Sequence, residues 1–387
     1  MTEKNEPTGN RIFTKHYNIM LIVSLLTFTG HYMLMATLPL YAKELSGSNV
    51  LAGMMITSLT ISALIFRPVF GPLIDTRGRK LILVTGAVLF VVVSLSYQFA
   101  QTVLLLILLR LVNGIGFSAH TSAAGTIISD LTPKARLSEG IGYYGISVIV
   151  GTAIGPALGL YFAKAAGYST LFLVVFFFWL LALIISLFIN YEKKVPKSPD
   201  HAARKKEKFV ERTAILPSLI MFFVCLTFGA VITFLPSFGV AREIVGIGAF
   251  FTVYSITVLI SRLMTGKIAD RHGFRIVLVP SLIALVIAMV ILAFAGSLMM
   301  VLVAAVFFGI GFGTSYPITN AIIIKRCPAD RRGAATSTLL AAMDIGIGLG
   351  AFVWGFVVEA SSFTVVYLAS AVCAVLALLT YWYLEHR

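Results

Sequence analysis

The chain has 387 residues, of which 59% are hydrophobic and only 12% charged, and it carries a formal net charge of +14. A charged share about half that of soluble domains excludes an ordinary water-soluble fold. The excess of positive charge would suit a nucleic-acid binder, but its placement argues against one.

Charge-poor runs long enough for a helix to cross a bilayer, about 20 residues, fall at 16–40, 50–73, 80–100, 102–129, 139–163, 168–190, 213–237, 246–268, 276–295, 298–325, 332–357 and 363–384. These twelve predicted spans divide six and six between the halves. They are not alternating ten-residue segments, so a β-barrel is excluded. With residue 1 in the cytoplasm, 24 of the 30 Lys and Arg fall on the inner side, and Lys43, Lys164 and Arg242 alone fall outside. That is the positive-inside asymmetry, and it places both termini in the cytoplasm. Arg67, Arg110 and Arg262 remain, inside or at the ends of spans. Cys225 and Cys373 lie in spans and Cys327 in a loop, so no disulfide framework follows. The polar N-terminal tail leads straight into a full-length apolar run, and no cleaved signal peptide is expected.

The first span carries His31 near its middle and Pro39 toward its outer end. An ionisable side chain at membrane depth is costly and usually faces a cavity; plain packing is the alternative for His31. The second span ends in Gly71-Pro72-Leu73-Ile74-Asp75-Thr76-Arg77-Gly78-Arg79-Lys80, read as a short charged loop with Arg67 just ahead of it. A copy stands 195 positions later at Arg262, Gly266, Asp270, Gly273 and Arg275. The same offset joins Gly114, Gly116 and Phe117 to Gly309, Gly311 and Phe312. It also joins Pro133 to Pro328, Arg136 to Arg331, Gly151 to Gly346 and Gly155 to Gly350. One unit is written twice.

This loop resembles the signature of the major facilitator superfamily, Gly-x-Leu-x-Asp-Arg-x-Gly-Arg-Lys, with Thr76 and Arg77 where that pattern has Arg-x. The resemblance covers nearly the whole chain. It implies an all-α membrane protein of twelve transmembrane helices in two pseudo-symmetric six-helix bundles around a central cavity. Residues 1–190 would form the first bundle, 191–212 a cytoplasmic basic linker and 213–387 the second. It further implies a gating latch on the cytoplasmic side built from Gly71, Asp75 and Arg79, with Arg67, Arg262, Gly266 and Asp270. Asp75 would then face the start of the 332–357 span, around Arg332 to Ala335. A loop that only sets topology is the alternative.

The fourth span reads Arg110-Leu-Val-Asn113-Gly114-Ile-Gly116 and resembles the family pattern Arg-x-x-Gln-Gly-x-Gly, which gives its arginine a role in proton coupling. Helical spacing puts Arg110, Asn113, Phe117, His120 and Thr121 on one face. Asp130 and Glu139 flank the next loop near the surface. The fifth span, Gly151-Thr-Ala-Ile-Gly155-Pro156-Ala-Leu-Gly159, resembles the antiporter signature Gly-x-x-x-Gly-Pro-x-x-Gly, with Leu160 in place of the second terminal glycine of the common form. Pro156 frees the carbonyl of Thr152, and a bend is expected there. Small-residue packing is the alternative; Gly346, Gly350 and Gly355 serve the same purpose in the second half, where Ala351 rather than proline follows Gly350. Segment 191–212 holds eight basic residues and four acids and reads as a solvated linker attracted to anionic lipid.

Candidate cavity residues are His31, Asn113, Phe117, Tyr143, Tyr254, Tyr316, Asn320 and Asp344. Three charged or titratable positions break the repeat: Arg110 aligns with Ala305, Asp344 with Ile149, and His31 with Phe228 at the 197 offset of Pro39 and Pro236. A lone charge inserted into one half is hard to explain by packing, so these three are the coupling candidates. Arginine effectively never deprotonates, which makes Arg110 the fixed charge and Asp344 or His31 the titrating group. Familiar drug exporters of the family place an acid in the first helix, where this chain has His31.

The expected function is proton-coupled efflux of small organic molecules or drugs, by antiport and alternating access. The protein would be a monomer in the cell membrane of a bacterial-type cell, with substrate, protons and lipid bilayer as partners, and with no nucleic acid, cofactor or metal. A dedicated exporter of one sugar, siderophore or metallophore, or a proton-coupled uptake symporter, is the rival within transport. An enzyme is not expected, because neither His-Glu-x-x-His nor a nucleophile constellation occurs. The lack of Gly-x-x-x-x-Gly-Lys-Ser/Thr argues against ATP-driven transport. A receptor of this fold would need a soluble output domain.

Overall fold

The computed structural model describes residues 11–190, 211–328 and 331–386. The described residues are helical throughout, with no strand. The elements are α1 (Lys15–Ser46), α2 (Asn49–Arg77), α3 (Arg79–Ser96), α4 (Val103–Leu131), α5 (Leu137–Leu187), α6 (Arg212–Ala241), α7 (Ala249–His272), α8 (Phe274–Ala293), α9 (Leu298–Arg326), α10 (Arg332–Ala360) and α11 (Phe363–Glu385). Helices form here because hydrocarbon offers no partner for backbone N–H and C=O groups, so each apolar run must satisfy its own.

Ten of these helices are long and apolar enough to cross a membrane, and α7 adds the shorter apolar stretch Ala249–Thr265. One of the ten, α5, is two passes joined at Gly167, whose φ of 81° and ψ of 169° are not helical. Among the described residues the count is therefore twelve, as the sequence leads one to expect. Much of the expected linker, residues 191–210, lies outside the described residues.

One correction concerns a helix end. The stretch from Gly71, expected as a loop, continues α2 to Arg77 in spite of Pro68 and Pro72. Arg77 suits the last turn because a cation there faces the negative end of the helix dipole. Gly78 alone breaks the chain direction, at φ 98° and ψ 149°, and its copy Gly273 does the same at φ 87° and ψ 163°. Side chains rarely adopt that backbone region, which accounts for glycine at both repeats. In α5 the helix runs on through Pro156, and the non-helical residue is Gly167.

The contacts group the chain into two units. Unit 1 is Met1–Leu34, Ser62–Ala100 and Leu111–Ser198; unit 2 is Met35–Ile61, Gln101–Arg110 and Pro199–Arg387. The boundaries fall inside α1, α2 and α4, so unit 2 draws on both sequence halves.

Lipid is as apolar as leucine, so helices in a bilayer associate through close packing of small residues. Unit 1 shows this where α5 meets α1. A Cβ placed on Gly155 would stand 2.7 Å from the Thr29 carbonyl oxygen and 2.8 Å from the Tyr32 Cβ. Unit 2 repeats the seam where α10 meets α6: a Cβ on Gly350 would stand 2.8 Å from the Leu226 carbonyl oxygen, and one on Gly346 2.6 Å from that of Phe222. Polar side chains are absorbed locally. Thr29 donates to the Leu25 carbonyl at 2.7 Å, and the Trp354 indole N–H to the Leu226 carbonyl at 2.9 Å.

At the start of α6, Glu211 accepts from the Thr213 backbone N–H and from the Arg331 guanidinium, the latter at 2.9 Å. The Arg331 hydrogen bond holds the Glu211 carboxyl below its ordinary range, with the Thr213 N–H adding to the effect. A depressed carboxylate contributes stability above its unfolded pKa, about 4.3, and loses it as pH falls through the folded value. Arg331→Gln is therefore expected to lower Tm at neutral pH and to shrink the acid-induced loss of Tm. Thermal melts of the purified protein at several pH values check this; an unchanged acid limb contradicts it.

Candidate functional site

Near the middle of α1, His31 is only 3% exposed. Its ring stacks on Phe117 of α4, with centroids 4.3 Å apart and planes 15° apart, and meets Tyr32 edge-on at 5.3 Å. In unit 2, Phe228 of α6 stacks on Phe312 of α9 at 4.8 Å and 27°. Phe228 and Phe312 are the repeat partners of His31 and Phe117. The stack is thus built twice, and one copy exchanges a phenyl ring for an imidazole. Such pairs contribute about 0.5–1.5 kcal/mol beyond area burial, so the packing role survives the exchange while a titratable group is gained. Asn113, fully buried, lies one turn before Phe117 on α4.

The Arg110 side chain is fully buried. Its Nε donates to the Met55 carbonyl of α2 at 2.7 Å, and Nη2 lies 3.3 Å from Met35 Sδ of α1. A buried guanidinium is costly unless its N–H groups are used. The planar fork ties α4 to two other helices of unit 2, which an ammonium on a flexible stem would do poorly.

On α10, Asp344 lies twelve residues past the start, about 18 Å along the helix. It is half-buried and interacts electrostatically with the Cys225 thiol of α6. The adjoining glycine seam brings the two helices this close: a Cβ on Gly346 would stand 2.8 Å from Cys225 Cβ. Asp344 is thus a carboxyl near the middle of α10 that the α6–α10 seam does not fully bury.

The remaining cavity candidates are dispersed. Tyr254, 4% exposed, belongs to an aromatic cluster with Phe228, Phe250, Phe308 and Phe312, with a Tyr254–Phe308 separation of 5.4 Å. It is core of unit 2. Tyr316 lies under the Arg262 guanidinium at 6.0 Å, beside a pocket of about 260 Å³ that both residues line with Thr265 and Phe274. Asn320, one turn on from Tyr316 in α9, is half-buried. Tyr143 lies near the start of α5, its hydroxyl 3.4 Å from Glu139 and its ring 4.9 Å from Phe13, well short of mid-span.

Of the gating candidates, Asp75 is exposed in the last turns of α2, and a Cβ on Gly71 would meet nothing within 4 Å. Arg79 pairs with Asp130 at 3.2 Å. Arg67 lies near the Tyr144 phenol. Gly266 and Asp270 occupy the corresponding turns of α7. Gly151 and Gly155 form the seam with α1, and Pro156 and Gly159 follow on the same helix.

Sequence reasoning passed over Glu359. One of its oxygens accepts from the Ser48 hydroxyl at 2.9 Å and from the backbone N–H groups of Asn49 at 2.9 Å and Val50 at 3.1 Å. A carboxylate from the end of α10 thus caps the start of α2, where the helix dipole favours it. Below this cap the Thr57 hydroxyl donates to the Gly348 carbonyl at 2.7 Å, and a Cβ on Gly355 would stand 2.8 Å from the Asn49 carbonyl oxygen. Within unit 2, the clamp joins a helix of the first sequence half to one of the second. Glu359 aligns with Lys164 at the 195 offset, so the test that singled out Asp344 would also have found it.

The family model described as Major Facilitator Superfamily matches residues 20–246 and 218–387. The multi-drug resistance efflux pump PmrA of Streptococcus pneumoniae is 27% identical over 304 residues, 75% of this chain and 76% of that one. The staphylopine export protein of Staphylococcus aureus is 24% identical over 373 residues, 92% of each. Among solved structures, nucleoside transporter NupG superposes with a TM-score of 0.69 at 18% identity, covering 95% of this chain and 99% of that one. A POT family transporter in complex with 5-aminolevulinic acid gives 0.78 at 15% identity and 95% of each. At these identities the structures establish a shared fold.

Proposed function

Because the chain belongs to the Major Facilitator Superfamily, we propose that it is a proton-coupled exporter of small organic molecules that works by alternating access. The supporting observation is the broken repeat. Two halves that share their glycine seams and aromatic stacks differ at His31, Arg110 and Asp344, each on a spanning helix. Duplicated residues serve folding, which both halves need; the unduplicated ones are free to serve coupling. Arg110 is the fixed cation and Asp344 the proton carrier, with His31 modulating the pH response. Similarity to PmrA supports an efflux direction, and the Gly155-Pro156 pair supports antiport.

The end of the bundle rich in Lys and Arg is the cytoplasmic one by the positive-inside asymmetry, with 1–190 and 213–387 as the two functional halves. The Glu359 clamp then lies at the outer end and is a gate that must part for substrate to leave. Glu359→Gln keeps the side-chain shape but loses the charge that holds three donors. Labelling of a cysteine at Asn49 from outside is expected to speed up in this variant; an unchanged rate argues against a gate.

A dedicated metallophore exporter is the second reading, favoured by similarity to the staphylopine export protein over 92% of the chain. Everted vesicles separate the two readings. Respiration-driven uptake of several unrelated cationic dyes, collapsed by a protonophore, is expected of a drug exporter. Uptake of a single metallophore alone would assign the dedicated role, and accumulation in right-side-out vesicles would assign import.

A further inference from the structure

The repeat also breaks at the corner that follows the second helix of each half. In unit 1, the turn from α2 to α3 brings Arg79 to Asp130 at the end of α4, 3.2 Å apart. Lys80 beside it donates to Asn190 at 2.6 Å and to the Leu187 carbonyl at 2.8 Å. Arg79 thus has an acid partner within unit 1, and Lys80 is committed to hydrogen bonds. At the 195 offset, unit 2 has Phe274 for Arg79, Arg275 for Lys80 and Lys325 for Asp130. The position that supplies the anion in one unit supplies a cation in the other.

The result in unit 2 is a cleft of about 630 Å³ between the α7–α8 turn and the ends of α9 and α11. Among the described residues, Arg275, Lys325, Arg326 and His272 line it, with one carboxylate, Glu385. Glu385 is 3.7 Å from Arg275, whose side chain is 61% exposed, so this pair leaves most of the guanidinium open to another partner. Arg326 commits one N–H to the Leu384 carbonyl at 2.9 Å, which fixes its plane at the cleft wall. Lys325 lies 5.8 Å over the Phe274 ring. Among the described residues, three basic side chains thus face one carboxylate. The helices beside the cleft carry exposed apolar side chains: Ile276 on α8, next in sequence to the lining residue Arg275, and Leu379, Trp382 and Tyr383 on α11, near the lining residues Tyr381 and Leu384, are each more than half exposed. A tryptophan and a tyrosine at a helix end mark the level of the lipid headgroups. Charge in the cleft and exposed apolar side chains on the helices that bound it together describe an amphiphile.

We propose that this cleft binds the phosphate headgroup of an anionic phospholipid, whose acyl chains lie along the exposed apolar side chains of α8 and α11. The lipid supplies the negative charge that Asp130 supplies in unit 1.

Native mass spectrometry of the full-length protein in detergent, titrated with phosphatidylglycerol, phosphatidylcholine or inorganic phosphate, tests this. A basic residue at an anionic membrane surface is worth about fivefold in binding, so Lys325→Gln with Arg275→Gln should weaken phosphatidylglycerol binding about 25-fold. Phosphatidylcholine binding should be unchanged in that variant. Lys325→Asp, which recreates the unit 1 charge, should remove the preference for phosphatidylglycerol. Melting of both variants in phosphatidylcholine nanodiscs should match the parent, which separates lost binding from lost folding; a variant that melts earlier there is replaced by Lys325→Gln alone, expected at about fivefold. Equal retention of the two lipids by the parent protein, or undiminished phosphatidylglycerol binding by the folded variants, would overturn the proposal. So would inorganic phosphate displacing phosphatidylglycerol at equal concentration, which would assign the cleft to a free anion.

Discussion

Asp344→Asn is expected to abolish pH-driven transport and to leave substrate binding and downhill exchange measurable. Asparagine keeps the size and hydrogen-bonding capacity of the side chain and removes only its ability to carry a proton. The position is mid-span on α10, half-buried, and pinned beside α6 by Gly346 and Gly350. Nothing at its repeat partner Ile149 could take over. His31→Gln, which preserves some ring-edge polarity but loses the stack on Phe117, is expected to shift the pH dependence without abolishing transport. Arg110→Lys is expected to damage transport although it keeps charge, because the Nε bond to Met55 at 2.7 Å has no equivalent in lysine. Uptake into proteoliposomes with and without a pH gradient separates these outcomes. Full gradient-driven accumulation by a protein carrying both Asp344→Asn and His31→Gln would move proton carriage to Asp130 and Glu139.

A second large effect is expected from Gly155→Leu. Even the first carbon of a side chain there would overlap the Thr29 carbonyl and the Tyr32 Cβ, and backbone cannot rotate aside. Overpacking costs about 1–3 kcal/mol or more, a large share of a stability of about 5–15 kcal/mol. Gly350→Leu meets the Leu226 backbone at the equivalent seam and should be as damaging. Gly71→Leu is the contrast, since nothing stands within 4 Å of its Cβ position. It should leave the folded yield intact, so that any loss of transport reports on gating. Size-exclusion profiles of fluorescently tagged variants give the comparison. Equal yields for all three would refute the seam account.

Much of this was legible in the sequence because its period is large. The 195 offset exposes both glycine seams and the paired turns at Gly78 and Gly273, and the 197 offset of Pro39 and Pro236 exposes the exchange of Phe228 for His31. Hydropathy locates twelve spans but not where a helix stops. Proline and charge between Gly71 and Arg77 read as loop, yet α2 runs on through Pro68 and Pro72, as membrane helices do when neighbouring groups take up the freed carbonyls. Aromatic positions were the least legible. Tyr254 could face a cavity or a core at the same helical spacing, and only the ring contacts place it in the cluster with Phe308 and Phe312. Glu359 escaped notice because an acid near a helix end is cheap in water; its meaning depends on Ser48, 311 residues away in sequence.

The central claim is that substrate and protons move in opposite directions through this chain. Purified protein in liposomes loaded with a pH-sensitive dye tests it without metabolism or other pumps. An outward substrate gradient, applied with no initial pH difference, should acidify the lumen, and Asp344→Asn should abolish that signal while radiolabelled substrate exchange continues. Lumen alkalinisation would indicate symport. Substrate flux with no proton signal in the parent protein would contradict the account.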